Sequence, residues 1–196
     1  MSTDNEKAGR GQILLPIARA SISSALDRVK KADEKAAWLQ DKGACFVTLT
    51  QQGELRGCIG TLEAHRSLLQ DVKANAHAAA FRDPRFAPLA AAELDITEVE
   101  ISLLSAMNPL QFSSERDALN QLLPGIHGVV FEYGHYRSTF LPQVWEQLPN
   151  VVEFMAHLKN KAGLGPDFWA EEVRISCYTV SKWKESDVLE SVAMSG

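Results

Sequence analysis

The stretch ACFVTLTQQGELRGCIGTLE, residues 44–63, decides the fold. ACFVTLT (44–50) and LRGCIGTLE (55–63) read as strands, and QQGE between them carries a glycine. Two such runs joined by a tight turn predict a β-hairpin. Side chains alternate faces along a strand, so Arg56, Cys58 and Gly60 share one face while Leu55, Gly57 and Ile59 share the other. If the turn pairs Thr50 with Leu55, Val47 stands opposite Cys58 and Cys45 opposite Gly60. Cys45, Val47 and Leu49 then join Cys58 on one apolar face.

Two readings of Cys58 follow. In the first, the guanidinium of Arg56, roughly 7 Å away along the strand, favours the thiolate. Gly57 and Gly60 leave the backbone bare for a ligand. In the second, Cys58 is a small apolar filler and the glycines mark a bulge. The arginine is awkward for the second reading, since charges are rarely buried unpaired.

Outward from the hairpin, apolar residues at Ile13, Leu14, Ile17, Ala18, Ile22, Leu26 and Val29 predict an amphipathic helix, with Pro16 fitting only its first turn. Ser67 is a candidate N-cap for a second helix through LLQDVKANAHAAAF, stopped by Asp83-Pro84. Residues 94–103 alternate as a half-buried strand, and Glu98 and Glu100 lie on its solvated face. A short helix over 115–123, a second hairpin turning at Gly134-His135, a helical pattern over 143–162 ended by Gly163, and a last strand over 173–180 complete the chain. Helices interleaved with hairpins predict an α+β fold with a largely antiparallel sheet and flanking helices. Residues 1–12 read as a disordered N-terminal tail, 13–185 as a single domain and 186–196 as a C-terminal tail.

The chain has 196 residues, of which 45% are hydrophobic, and a formal net charge of −5, which is a globular composition. It lacks the basic footprint that phosphate-backbone binding needs, so nucleic acid is not an expected partner. Three cysteines are too few for a disulfide scaffold. No metal-ligand spacing occurs, so no metal or other cofactor is expected. No leader pattern and no long apolar run are present, which points to a cytoplasmic protein with no membrane partner.

Other polar groups have local readings. FRDPRF (81–86) sets Asp83 between two arginines, as a helix stop with an ion pair or as an anion site using Arg85. His65 and His77 are the histidines considered as a base for Cys58.

LRGCIGT, AAAFRDPRF, ELDITEVEISLLS, RSTFLPQV and KAGL, in this order, closely resemble the AMMECR-one domain family, whose prokaryotic members are called AmmeMemoRadiSam system protein A. LRGCIG is the family's hallmark hexapeptide, and the likeness covers roughly residues 13–185. The resemblance implies two lobes around a cleft, with the hexapeptide near it. It also implies association with Memo-like and radical S-adenosylmethionine proteins. On this reading the chain is a component of a cytoplasmic modification system. Cys58 is the candidate catalytic residue, and Arg56, Gly57, Gly60, Thr61, Asp83 and Arg85 are the candidate substrate-binding residues. The alternative is a non-catalytic protein-binding adaptor or regulatory module, marked by an inert, buried Cys58 and an exposed apolar patch.

Overall fold

The computed structural model describes residues 3–187, with side chains from residue 9 onward. Its elements run α1 (Thr3–Ala25), β1 (Cys45–Gln51), β2 (Glu54–Gly60), α2 (Leu68–Phe81), β3 (Thr97–Leu104), β4 (Asn108–Pro109), α3 (Glu115–Gln121), β5 (Gly128–Tyr133), β6 (Tyr136–Phe140), α4 (Val151–Lys161), β7 (Arg174–Tyr178) and β8 (Val180–Lys184). The described residues fall into two compact units, one of residues 3–104 with 181–187 and one of residues 105–180. The α+β class stands. The strands form two four-stranded sheets, in the orders β2-β1-β3-β8 and β4-β7-β5-β6. Pairings β1–β2, β1–β3, β4–β7, β5–β6 and β5–β7 are all antiparallel.

The first unit buries one face of its sheet under α1 and α2. Cys45, Val47 and Leu49 of β1 and Val99 and Ile101 of β3 meet Leu14, Ile17 and Ile22 of α1 and Val72 and Ala76 of α2. The small residues of α2 let it lie close on the sheet. Ser67 caps that helix, its hydroxyl accepting from the Gln70 N–H. The helix stops at Phe81 as the Asp83-Pro84 step requires.

α1 departs from expectation at its start. Residues 3–12, assigned to a disordered tail, are helical, and Pro16 sits inside the helix rather than in its first turn. Pro16 is exposed, so the helical donor it denies the Gln12 carbonyl can be replaced by water. Gly11 marks a close approach: a Cβ there would stand 2.4 Å from the Trp183 ring of β8. β8 extends beyond the last strand expected over 173–180. It pairs at the edge of the first sheet, and Val180 and Trp183 are the apolar residues it carries. The tail residues 188–196 lie outside the described residues.

In the second unit, Phe131, Trp145, Phe154, Met155, Leu158 and Ile175 form the centre of the core. The helical pattern over 143–162 divides into a turn at Pro142–Glu146 and α4. Pro149 separates them, and the Asn150 side chain caps α4 by accepting from the Val152 and Glu153 N–H groups.

Candidate functional site

The hairpin turns at Gln52-Gly53, with positive φ at both residues, 52° and 83°, as a two-residue hairpin loop demands. Thr50 pairs with Leu55, as expected, but the register then shifts: Leu49 pairs with Gly57, Thr48 with Cys58, Val47 with Ile59 and Phe46 with Gly60. Arg56 is the extra residue of a β-bulge between Leu55 and Gly57. One inserted residue moves every later side chain to the other face. Cys58 therefore does not join Cys45, Val47 and Leu49 in the core. It lies half-buried on the outward face, beside Thr48.

The outward face carries a row of functional groups across the four strands of the first sheet. Cys58 stands beside Thr48, whose other cross-strand partner is Glu100 of β3. The Thr48 hydroxyl donates to Cys58 Sγ at 3.3 Å. Nζ atoms of Lys182 and Lys184 lie 3.8 and 3.7 Å from the Glu100 carboxylate. Glu98, on the same face, accepts from the backbone and hydroxyl of Ser186, and that hydroxyl contact is the main cause holding its carboxyl below the usual range.

β2 is an edge strand, so the outer side of its backbone has no strand partner. The turn after α2 supplies one at Cys58. Asp83 Oδ2 accepts the Cys58 N–H at 2.9 Å, and Arg85 Nη2 donates to the Cys58 carbonyl at 3.3 Å. The two side chains are locked together, Arg85 Nε to Asp83 Oδ1 at 2.9 Å and Nη2 to Oδ2 at 2.7 Å. Asp83 is buried, and its carboxyl is held far below the usual range, first by the Arg85 hydrogen bonds. Arg85 is 53% exposed. FRDPRF is thus both a helix stop and a clamp on the Cys58 peptide.

The other expected site residues have structural partners. Arg56 forms a two-point pair with Glu93, Nε to Oε1 at 2.9 Å and Nη2 to Oε2 at 3.1 Å. That pair, with the Ala90 N–H, pushes the Glu93 carboxyl down to about 2. Gly57 faces α2: a Cβ there would lie 2.1 Å from the Ala79 carbonyl oxygen. Gly60 is covered by Phe46, whose ring would be 2.2 Å from a Cβ. The bare backbone expected to admit a ligand is occupied by the protein's own atoms. Thr61 donates to Asp71 Oδ2 at 2.6 Å. His65 Nδ1 meets the Glu63 carbonyl and His77 rests on the Phe81 ring, so both candidate bases are engaged elsewhere.

Sequence reasoning missed the residue at the centre of the buried polar network. Asp71 is fully buried and accepts from the Cys45 N–H, the Thr61 hydroxyl, Arg66 Nε and the Asn75 amide. Its signal was an acid on the α2 face otherwise made of Leu68, Val72 and Ala76. The Cys45 thiol beside it is pushed up, by burial first and by Asp71 second. Among the described residues, no group of three or more His, Cys, Asp or Glu side chains is placed to hold a metal ion.

What the structure brings together is Cys58, Asp83 and Arg85, with Thr48 and Glu100 added. An accessible thiol with a hydroxyl donor at its sulfur and a partly free guanidinium at its carbonyl can hold an anionic group close to a nucleophile. Residues 15–183 match the family model AMMECR1. The protein MJ0810 of Methanocaldococcus jannaschii is 36% identical over 184 residues, covering 89% of this chain and 90% of that protein. A protein of Aeropyrum pernix is 35% identical, over 90% of this chain and 79% of its own length. The crystal structure of the uncharacterized protein PH0010 from Pyrococcus horikoshii superposes with a TM-score of 0.73 at 30% identity, covering 89% of this chain and 91% of that one.

Proposed function

We propose, from the premise that this chain belongs to the AMMECR1 family, that it serves a cytoplasmic modification system alongside Memo-like and radical S-adenosylmethionine proteins. In this reading the outward face around Cys58 meets the substrate. Cys58 acts as nucleophile or covalent carrier, and Arg85 holds an anionic group of the substrate. Asp83 positions both by fixing the Cys58 peptide and the Arg85 guanidinium. Arg56, Gly57, Gly60 and Thr61 shape the strand rather than touch the substrate. The carrying observation is the bulge at Arg56, which puts Cys58 on the outward face beside Thr48. No helix among the described residues is long and apolar enough to cross a membrane.

A second reading has its own support. Leu123, Ile126 and Val152 are 49%, 53% and 61% exposed in the second unit, as a non-catalytic protein-binding module would have them. One experiment separates the two. The purified chain is incubated with a Memo-like and a radical S-adenosylmethionine protein, with S-adenosylmethionine, and its intact mass is measured. A covalent adduct that maps to Cys58 and is absent from Cys58→Ser supports the first reading. A stable complex without any adduct, unchanged in Cys58→Ser, supports the second. Neither complex nor adduct removes the association.

A further inference from the structure

The first unit holds a cavity of about 640 Å³ lined by residues of α1, the 30–31 segment, residues 94–98 and the end of β8. Neither Cys58 nor any other hexapeptide residue lines it. Its size falls within the range of small-molecule sites, about 300–1,000 Å³. Leu15 and Leu94 are buried and Ile96 is 61% exposed, so apolar surface runs from the inside of the cavity out to solvent.

Its charges are unevenly matched. Arg19 is engaged through four of its five N–H groups: Nε donates to Glu185 Oε1, Nη1 to the Leu94 carbonyl, and Nη2 to the Thr97 carbonyl and Glu185 Oε2. Glu185 also accepts the Val99 N–H. Asp95 is paired with Arg28, and Glu98 accepts from Ser186. Every carboxylate lining the cavity therefore already has a donor. Lys30 and Lys31 are exposed, and neither has an acidic partner among the described residues. What the cavity has left to offer is two adjacent ammonium groups beside an apolar wall.

We propose that this cavity binds a small amphiphilic carboxylate, its apolar body against Leu15, Pro16, Leu94 and Ile96 and its carboxylate at Lys30 and Lys31. The two unpartnered lysines select the anion, and the apolar wall selects a ligand with a hydrocarbon or aryl body rather than a sugar or inorganic phosphate. The Arg19–Glu185 pair lines the cavity without adding net charge to it.

The test titrates the full chain with the apolar anion 8-anilinonaphthalene-1-sulfonate, followed by fluorescence, and then displaces it with octanoate. Lys30→Glu combined with Lys31→Glu should weaken dye binding about tenfold, and Ile96→Ser about threefold. Val152→Ser, on the other exposed apolar surface, should leave binding unchanged, and octanoate should compete. Circular dichroism confirms that each variant is folded. Full-strength dye binding in the double lysine variant, or loss of binding in Val152→Ser, overturns the proposal. Tighter binding after removal of residues 188–196 also overturns it, by identifying the chain's own end as the occupant.

Discussion

Asp83 accepts the backbone N–H of Cys58 at 2.9 Å, a bond between residues 25 positions apart that completes the open edge of the first sheet. Arg85 closes the other half by donating to the Cys58 carbonyl. A carboxylate and a guanidinium here do what a neighbouring strand would do. The Cys58 side chain is left free of that role, its backbone is rigid, and the edge is closed against pairing with another chain at that residue.

The three cysteines should differ in reactivity with iodoacetamide at neutral pH. Cys45 and Cys177 are buried, and burial pushes both thiols up. Cys58 is half-buried on the outward face. Brief labelling of the native protein followed by mass spectrometry should modify Cys58 first, with Cys45 and Cys177 protected until denaturant is added. Because Arg56 is engaged by Glu93, Arg56→Met should change the Cys58 rate less than about twofold. Protection of Cys58 in the native protein would remove it as a nucleophile.

Gly57→Ala should destabilise the chain more than any other single change in the hexapeptide. The added methyl would meet the Ala79 backbone carbonyl, which cannot swing away as a side chain can. Overpacking of this kind costs about 1–3 kcal/mol. Urea denaturation should show the midpoint falling with little change in slope. A variant as stable as the parent would mean that α2 does not lie on β2 as described.

The sheet, the helices and the hairpins were legible because each has its own period or turn signal. Alternation at Val99, Ile101 and Leu103 marked β3, and Ser67 and Pro84 bracketed α2. The face of Cys58 was not legible. A bulge adds one residue without changing the composition of either strand, so Arg56 carries no mark of being the insertion, although the flanking glycine is compatible with it. Pro16 misled for a related reason: proline forbids a hydrogen bond, not a helix, where the freed carbonyl faces water. β8 is an edge strand in which Val180 and Trp183 stand among a serine and two lysines, too weak a pattern to mark a strand. The Asp83–Arg85 pair was readable from FRDPRF, but its grip on Cys58 is a contact across 25 residues that spacing does not encode.

The Arg56–Glu93 pair predicts a definite pH dependence. Glu93 is held down to about 2 in the folded chain, chiefly by Arg56, against an ordinary value of 4.5. The unfolded chain takes up this proton at a higher pH than the folded one. The stabilisation is therefore complete above pH 4.5, declines as pH falls, and is gone below about 2. Glu93→Gln should lower the melting temperature at pH 7, and its difference from the parent should shrink through this window. A difference that stays constant from pH 7 to 2 would show that the charge on Glu93 contributes nothing.

Asp71 should prove to be the residue on which the start of the sheet depends. Its carboxylate accepts from four groups: the Cys45 N–H at 2.9 Å, the Thr61 hydroxyl at 2.6 Å, Arg66 Nε at 2.8 Å and the Asn75 amide at 3.0 Å. These donors come from β1, the segment after β2, the loop before α2 and α2 itself, so one side chain ties the strand pair to the helix that covers it. Asp71→Ala would leave the Cys45 N–H and the Asn75 amide buried without this acceptor and Arg66 without its counter-charge. Breaking a buried pair from one side costs about 3–5 kcal/mol. Thr61→Val removes one donor and leaves the carboxylate three others, which should cost about 1 kcal/mol. Urea denaturation of the two variants measures both. If Asp71→Ala loses no more than Thr61→Val, the network is not what joins α2 to the hairpin, and the apolar contacts of Val72, Ala76 and Ala79 alone hold the helix in place.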